Sequence, residues 1–573
     1  MITPQSPFAG AKTALPANAK FIVAFSLLYL AAWWPMLLYN YWQWDDLVWR
    51  DLALAQADLA SFPRPYIPFV YGSLDHLQNW LPFVRVSALA AFVLNYFAWL
   101  AIYLALRLLK FFRHDQLFWI VVLSAVAPVD MTRVTLAVSQ YQIAFFFFSL
   151  GMLCFFAAIM RRNTALRVLA ALWLLASCQI ESFYFATMAL FLGVLLVRPQ
   201  WRSSPDWRER LKATGILLAK HGELVLIPIV SFVTRPAGAG AYADYNAVTL
   251  NGLISGAPSA FVSAVQTLYE IPSGLAHLAR EEMSNAAGLV HVGYYPIILV
   301  VVLICIWATR LAGMPLTDET TEKRPGETFA GALCAFLLLA FFLYPYVALV
   351  HFVRPFTGFN DRGLLTSVLA IGLFFVLFVG ATVRENARIP VLTGLLVVMV
   401  SSSALGVIGF IRNAQVTDGI VVALRDSEQV RRETTFVFDP VGLSLAYDQN
   451  LRDYEVNAML GEAFGDHTRM AVSIDFAGDW PSYLTRLRKF PNRGAAGNDL
   501  VQGKVLRTPA QWLNFHYRAG GGRAGRDLLA PAVLWRSWLK LTAPARYQMT
   551  VGKLVEVTVG PSGPVLSQTT FGP

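Results

Sequence analysis

The chain has 573 residues, of which 56% are hydrophobic and only 14% charged, with a mean hydropathy of +0.51. Soluble domains carry about a quarter charged residues, and apolar runs close to the bilayer-spanning length of about 20 residues recur from Phe21 onward, so the composition excludes an ordinary soluble protein. The formal charge of +10 is what the cytoplasmic loops of a polytopic membrane protein supply; it gives no reason to invoke nucleic acid.

Cys154, Cys178, Cys305 and Cys334 all lie inside apolar runs. They form neither a disulfide framework nor a zinc spacing and read as small core residues. The stretch Met1–Lys20 carries Lys12 and Lys20, and no small-residue cleavage site follows the apolar run Phe21–Tyr39. That run is therefore expected to be an uncleaved first span.

With Lys20 on the cytoplasmic side, the first span delivers Trp44-Asp45-Asp46 to the outside. The second, about Val84 to Leu109, returns to Arg107, Lys110 and Arg113. The third, Leu117 to about Val129, is short, and its outer end carries Asp130, Arg133 and Gln140. The fourth, Tyr141–Met160, returns to Arg161, Arg162 and Arg167. Basic clusters thus fall on one side and acids on the other, as the positive-inside rule requires.

Arg167–Arg198 is long for one span and short for two, with the polar run Gln179-Ile180-Glu181-Ser182 at its centre. Polar groups are costly in lipid, and the next loop (Arg198, Arg202, Arg208, Arg210, Lys212, Lys220) is strongly basic. Two short helices in a hairpin, with Glu181 at the outer tip, satisfy both constraints. A short seventh span, about Leu224–Val233, is expected to begin with an interfacial helix at Trp207–Lys220.

A long external loop, Thr234–Gly293, is expected next, with helical periodicity at Ser273–Ala287. Spans follow at Tyr295–Thr309, Phe329–Tyr346, Gly363–Val383 and Ile389–Phe410. Between the ninth and tenth lies an external loop with His351, Arg354, Asn360, Asp361 and Arg362. The count is about eleven spans, N-terminus inside and C-terminus outside. From Arg412 long apolar runs stop. Short segments at Thr435–Phe438, Met470–Phe476, Val501–Leu506 and Met549–Val559 read as strands, and Tyr447–Phe464 and Pro531–Leu541 as helices. The expected architecture is a transmembrane region, residues 1–411, and a small extracytoplasmic α/β or α+β domain, 412–573. Gly520-Gly521-Gly522-Arg523 lacks the Lys-Ser/Thr of a phosphate-binding loop.

The outer face collects the acids Asp45, Asp46, Asp130, Glu181 and Asp361 and the bases Arg64, Arg133, Arg235, Arg354, Arg362 and His351. Short spans beside them are expected to leave a recess open to the outside. Arginines at headgroup depth offer bidentate donors to a lipid phosphate, and a carboxylate takes the proton of a hydroxyl acceptor. Together they suit transfer of a sugar from a polyprenyl-phosphate carrier to an acceptor at the membrane surface. The lipid phosphate is the leaving group, so no nucleotide-sugar motif is required.

With those residues in hand, the chain resembles the GT-C superfamily of polytopic glycosyltransferases. The resemblance rests on Asp45-Asp46 in the first external loop and on Phe62-Pro63-Arg64-Pro65, which is similar to the Arg-Pro element downstream of the acidic pair in many bacterial members. Glu181 after a short hairpin, the Arg-bearing loop His351–Arg362 and a terminal external domain add to it. The resemblance implies a first-loop carboxylate, Asp45 or Asp46, acting as general base or, in some branches, as a metal ligand. It implies that external basic residues, here Arg64, His351, Arg354 and Arg362, hold the lipid phosphate, with Asp130 and Glu181 also lining the substrate site. A divalent metal stays open, because hard cations take carboxylate oxygens but adjacent aspartates need a distant third ligand. The implied setting is the bacterial cytoplasmic membrane, with a glycan or lipid acceptor on its outer side. No sequon-recognition signature of the oligosaccharyltransferases is present. Two other classes remain: a polysaccharide polymerase or ligase using lipid pyrophosphates, kept by the Thr234–Gly293 loop, and a lipid-linked-glycan transporter or flippase. The latter calls for midplane charges and related halves, whereas the charges here lie at helix ends.

Overall fold

The computed structural model of the chain describes residues 17–41, 77–78, 80–81, 85–135, 138–180, 182–197, 206–234, 250–276, 278, 290–312, 325–348, 353, 355, 358–440, 443, 445, 450–466, 468–474, 511–518, 527 and 530–560. Each apolar run of the sequence coincides with a helix. They are α1 (Ala17–Trp33, continued by a 3-10 turn Trp34–Leu38), α2 (Val86–Leu109), α3 (His114–Val126), α4 (Ser139–Arg161), α5 (Thr164–Ser177) and α6 (Ser182–Val197). There follow α7 (Trp207–Lys220), α8 (Glu223–Val233), α9 (Leu250–Glu270), α10 (Val290–Ala312), α11 (Pro325–Ala348), α12 (Val368–Thr382, preceded by a 3-10 segment Gly358–Ser367) and α13 (Glu385–Asp426). Among the described residues, seven helices are long and apolar enough to cross a membrane: Ala19–Leu38, Val86–Leu109, Ser139–Arg161, Tyr294–Ala312, Phe329–Ala348, Gly363–Thr382 and Glu385–Asp426. The chain is thus a polytopic helical protein with a small sheet near its C-terminus.

The remaining apolar helices are shorter. α7 and α8 meet at an angle of 57°, a helix over Trp207–Lys220 followed by a short apolar one, close to the bounds read from the sequence. α5 ends at Ser177 and α6 begins at Ser182, a separation at the polar run. They do not pack along each other as a tight hairpin would: α5 lies on α4, whereas α6 lies on α8 and α11. One helix was not expected. α9 occupies the middle of the stretch read as the Thr234–Gly293 loop and packs along α11. Its small residues hid it: a Cβ on Gly256 would lie 3.0 Å from the Ala348 Cα, so the close approach uses a residue that hydropathy does not reward.

α3 is the centre of the bundle. Every side chain from Leu117 to Val126 is buried, the pattern of a helix apolar on all sides. α12 comes so close that a Cβ on Gly372 would sit 2.5 Å from the Ile120 carbonyl oxygen. Pro128 ends α3 by forcing Ala127 into extended geometry (φ −58°, ψ 136°). The last carbonyls of a helix lack intrahelical partners, and here those of residues 124 to 127 find one. Ser124 O accepts from Ala127 N (3.3 Å) and Ala127 O from Val129 N (2.8 Å). Ala125 O accepts from Trp33 Nε1 (3.0 Å) and Val126 O from Ser403 Oγ (2.8 Å). α1 and α13 are thereby pinned to the end of the central helix.

α13 has 42 residues, about 63 Å at 1.5 Å per residue, or roughly twice the hydrocarbon thickness. The composition does change at Arg412, but no break in the backbone accompanies it; the helix continues to Asp426 and carries the C-terminal elements on its far half. There the strands β1 (Thr435–Phe438), β2 (Met470–Ser473), β3 (Gln511–Tyr517) and β4 (Val555–Gly560) form a sheet of order β2-β1-β3-β4. β1 is parallel to β2 and β3, and β4 is antiparallel to β3. Helix α15 (Asp453–Phe464) makes the β1-to-β2 crossover a parallel strand pair needs. Asn457 fastens it to the edge strand, donating to Ala471 O (3.0 Å) and accepting from Ala471 N (2.7 Å). A short helix α14 (Glu428–Arg432) precedes β1, and α16 (Ala530–Thr542) and α17 (Pro544–Val551) precede β4. The run read as one strand from Met549 to Val559 therefore begins in a helix, β3 was not anticipated, and Val501–Leu506 and Gly520–Arg523 lie outside the described residues.

Candidate functional site

Of the residues singled out from the sequence, Asp45, Asp46, Arg64, Glu181, His351 and Arg354 lie outside the described residues. Asp361 and Arg362 fall in the 3-10 segment Gly358–Ser367, of which the backbone is described. Asp130 is described in full, and it is the nucleus of a buried polar cluster.

Asp130 has a left-handed backbone (φ 54°), a conformation that aspartate tolerates better than most residues. Its carboxylate is 0% exposed and accepts a hydrogen bond from Gln142 Nε2 on α4. The Gln142 side-chain oxygen in turn accepts from Asn95 Nδ2 on α2, which also donates to Ala91 O (2.9 Å). On the other side stands Arg133, 3% exposed. Its Nε donates to Asp130 O (2.9 Å) and its Nη2 to Val129 O (2.8 Å), and Nε lies 3.9 Å from the Asp130 carboxylate. The guanidinium is stacked on the Trp33 ring, 3.8 Å from its centre. Nη1 is buried without a hydrogen-bond partner. The sign is right for the place: a cation sits beside the negative end of α3 and also neutralises a buried carboxylate, which desolvation would otherwise make costly. The expected recess is closed at this point, and Asp130 presents no surface to a substrate in this conformation.

The cluster marks one end of the bundle, and several of the predicted segments meet there. Met131–Val134, a 3-10 turn, packs against Gly358–Ser367, the segment that carries Asp361 and Arg362, and against α2 and α13. Gly358–Ser367 also touches α6, whose first residue follows Glu181. The stretch between α1 and α2 leaves and returns at the same end, because Arg85 N donates to Tyr39 O (3.3 Å) and so joins the two ends of the segment that holds Asp45, Asp46 and Arg64. Arg85 itself is 3% exposed. No protein-family model matches the sequence, and no curated protein matches it. Chemistry and geometry are therefore what the reading of this end rests on.

A second polar cluster lies where the chain leaves α1 for the acidic loop. Gln415 Nε2 on α13 shares its two N–H groups among Tyr41 Oη (3.0 Å), Val533 O (2.8 Å) and Ser537 Oγ (3.1 Å). Tyr41 Oη also lies 3.0 Å from Ser537 Oγ, and Arg536 Nε donates to Gln415 Oε1 (2.7 Å). One turn further along α13, Asp418 accepts from Lys540 Nζ and Tyr547 Oη, both at 2.7 Å, and Lys540 Nζ sits 3.9 Å above the Tyr41 ring. Burial pushes the Tyr41 hydroxyl up to about 12. Burial also raises Tyr547 and lowers Arg536 from their ordinary values. Asp45 follows Tyr41 by four residues, so the C-terminal helices grip the root of the acidic loop.

Sequence reasoning missed Asn95, Gln142, Arg85, Tyr41, Gln415 and Arg536. The first two carried a usable signal, since amides within apolar runs are expensive unless partnered. Among the described residues no group of three His, Cys, Asp or Glu side chains gathers to hold a metal. The adjacent carboxylates considered as metal ligands, Asp45 and Asp46, lie outside those residues.

Proposed function

We propose that the protein is a GT-C-like glycosyltransferase of the bacterial cytoplasmic membrane. It moves a sugar from a polyprenyl-phosphate carrier to a glycan or lipid acceptor on the outer face. In this reading all eleven apolar runs recognised in the sequence span or enter the bilayer, with the C-terminal domain outside. Asp45 takes the proton from the acceptor hydroxyl, the acceptor oxygen bonds to the anomeric carbon, and the bond from that carbon to the phosphate oxygen breaks. The lipid phosphate leaves with the electron pair, its charge met by Arg354 and Arg64, with Arg362 and His351 nearby. Asp46 supports Asp45 or ligates a divalent cation. The buried Asp130–Arg133 pair shapes the floor on which these loops meet.

The observation that supports the reading best is the convergence at one end of the bundle: the closed root of the acidic loop, the Asp130 turn and the Gly358–Ser367 segment come together there. The test is transfer from a synthetic polyprenyl-phosphate sugar by the purified chain in nanodiscs. Asp45→Asn should lower turnover by roughly 10²–10⁴-fold, the usual cost of losing a positioned base, with the chain still folded. Near-normal turnover by that variant removes Asp45 from the mechanism.

A further inference from the structure

Helix α16 has two unlike faces. Val533, Arg536, Ser537 and Leu539 are buried, and Arg536 and Ser537 are tied to α13 through Gln415. The opposite face is apolar and open: Trp535 and Trp538 are each 54% exposed, one helical turn apart and on the same side. Met549 on the following helix is 64% exposed. Two bare tryptophans on a helix that is locked in rotation by its buried face call for an occupant.

Their height along the bundle identifies it. Ser537 lies 3.0 Å from Tyr41 Oη, and Tyr41 is three residues beyond Leu38, where the first candidate span ends. α16 also touches the Trp34–Leu38 turn and α10. α10 is itself a candidate span whose outward side chains Tyr295, Leu299, Val300 and Leu303 are 55–64% exposed, as lipid-facing residues of an isolated chain must be. The tryptophans thus stand on a helix that touches this exposed span and lies level with the end of α1. Tryptophan partitions to that depth because its ring is apolar and its N–H reaches the headgroup water.

We infer that α16 is an interfacial helix: Trp535 and Trp538 seat the C-terminal domain on the lipid surface, next to the outer ends of α1 and α10. The domain then has one allowed height and tilt over the bundle, set by lipid on one face of α16 and by Gln415 on the other. The inference needs only a membrane-embedded bundle and is independent of any transferase activity.

The experiment uses the full chain with Cys154, Cys178, Cys305 and Cys334 replaced by alanine, in nanodiscs of phosphatidylethanolamine and phosphatidylglycerol. A fluorophore is attached after Trp535→Cys, Trp538→Cys or, as a control on the exposed edge of β4, Glu556→Cys. A lipid nitroxide placed just below the headgroup should quench the dye at 535 and 538 severalfold more than at 556, and more than a nitroxide at the acyl-chain end does. Equal quenching at all three positions overturns the inference. So does a dye shielded from aqueous iodide yet untouched by lipid nitroxide, which would mean that a second copy of the chain or a bound glycan covers the face. If the cysteine-free chain does not fold, brominated-lipid quenching of the native protein decides. Trp535→Tyr with Trp538→Tyr should reduce the quenchable tryptophan signal, and an unchanged signal overturns the inference.

Discussion

The Arg133 guanidinium carbon lies over the Trp33 ring, 3.8 Å from its centre, while Trp33 Nε1 donates to the Ala125 carbonyl at the end of the central helix. One tryptophan thus caps α3 with its edge and supports a buried cation with its face. The cation in turn holds Asp130, whose backbone is left-handed.

That arrangement ranks substitutions at Asp130. Removing one partner of a buried charge pair costs about 3–5 kcal/mol, so Asp130→Ala should lower the thermal midpoint of the detergent-solubilised protein markedly. Asp130→Gly loses the same carboxylate but relaxes the left-handed backbone, and should retain about 1 kcal/mol relative to alanine. Asp130→Asn keeps an acceptor for Gln142 and should be the mildest of the three. Equal midpoints for alanine and glycine would show that the left-handed turn does not persist without the carboxylate.

Alkaline pH should loosen the grip of the C-terminal helices on the acidic loop. Tyr41 is raised from 10.0 to about 12 by burial, so the folded state holds its proton where the unfolded chain has lost it. The stabilisation is complete below pH 10 and disappears as pH rises toward 12. Thermal midpoints followed across that window should fall, and the fall should be shallower in Tyr41→Phe. Tyr41→Phe should also lose about 1 kcal/mol at neutral pH, the net worth of a typical hydrogen bond. An unchanged alkaline slope would assign the titration to Tyr547.

Arg354 should act on the donor. Lysine keeps the charge but not the planar two-pronged geometry, so Arg354→Lys should raise the KM for a polyprenyl-phosphate sugar and Arg354→Ala should raise it further, with the KM for acceptor little changed. Arg362 is adjacent to Asp361 in sequence, and if the two pair, Arg362→Ala will show itself in stability before it does in donor use. Unaltered donor dependence in Arg354→Ala would move the phosphate contact to Arg64.

Sidedness can be checked directly. Cysteines introduced at Ser73, in the acidic loop, and at Glu556, on β4, should both react with an impermeant thiol reagent in intact spheroplasts. Labelling of one and protection of the other would break the assignment of both to the same face.

The local elements were open to reading from sequence because their signals are local. Apolar runs separated by basic clusters located the helices, the polar run Gln179–Ser182 located one break, and a short β-branched, aromatic segment located β1. α9 was hidden because small residues that let helices approach closely contribute little hydropathy, and β3 because its Gln511–Tyr517 run mixes polar and aromatic residues without clean alternation. Among the candidate residues, Asp130 was recognised as an acid at a helix end, but its meaning changed on folding. Charge and position along the chain suggested an open recess; tertiary contacts placed it under Gln142 and over Arg133 with no exposure.

The amino-acid sequence by itself determined that this is a polytopic helical protein, because each apolar helix satisfies its own backbone and needs no distant partner to be recognised. Only the tertiary structure decided which polar residues are joined, that α13 runs unbroken through Arg412, and that Tyr41 is bound to Gln415 and Ser537. Those contacts link residues up to 496 positions apart, and the hydrogen-bond and charge complementarity that selects them arises only after the helices have packed.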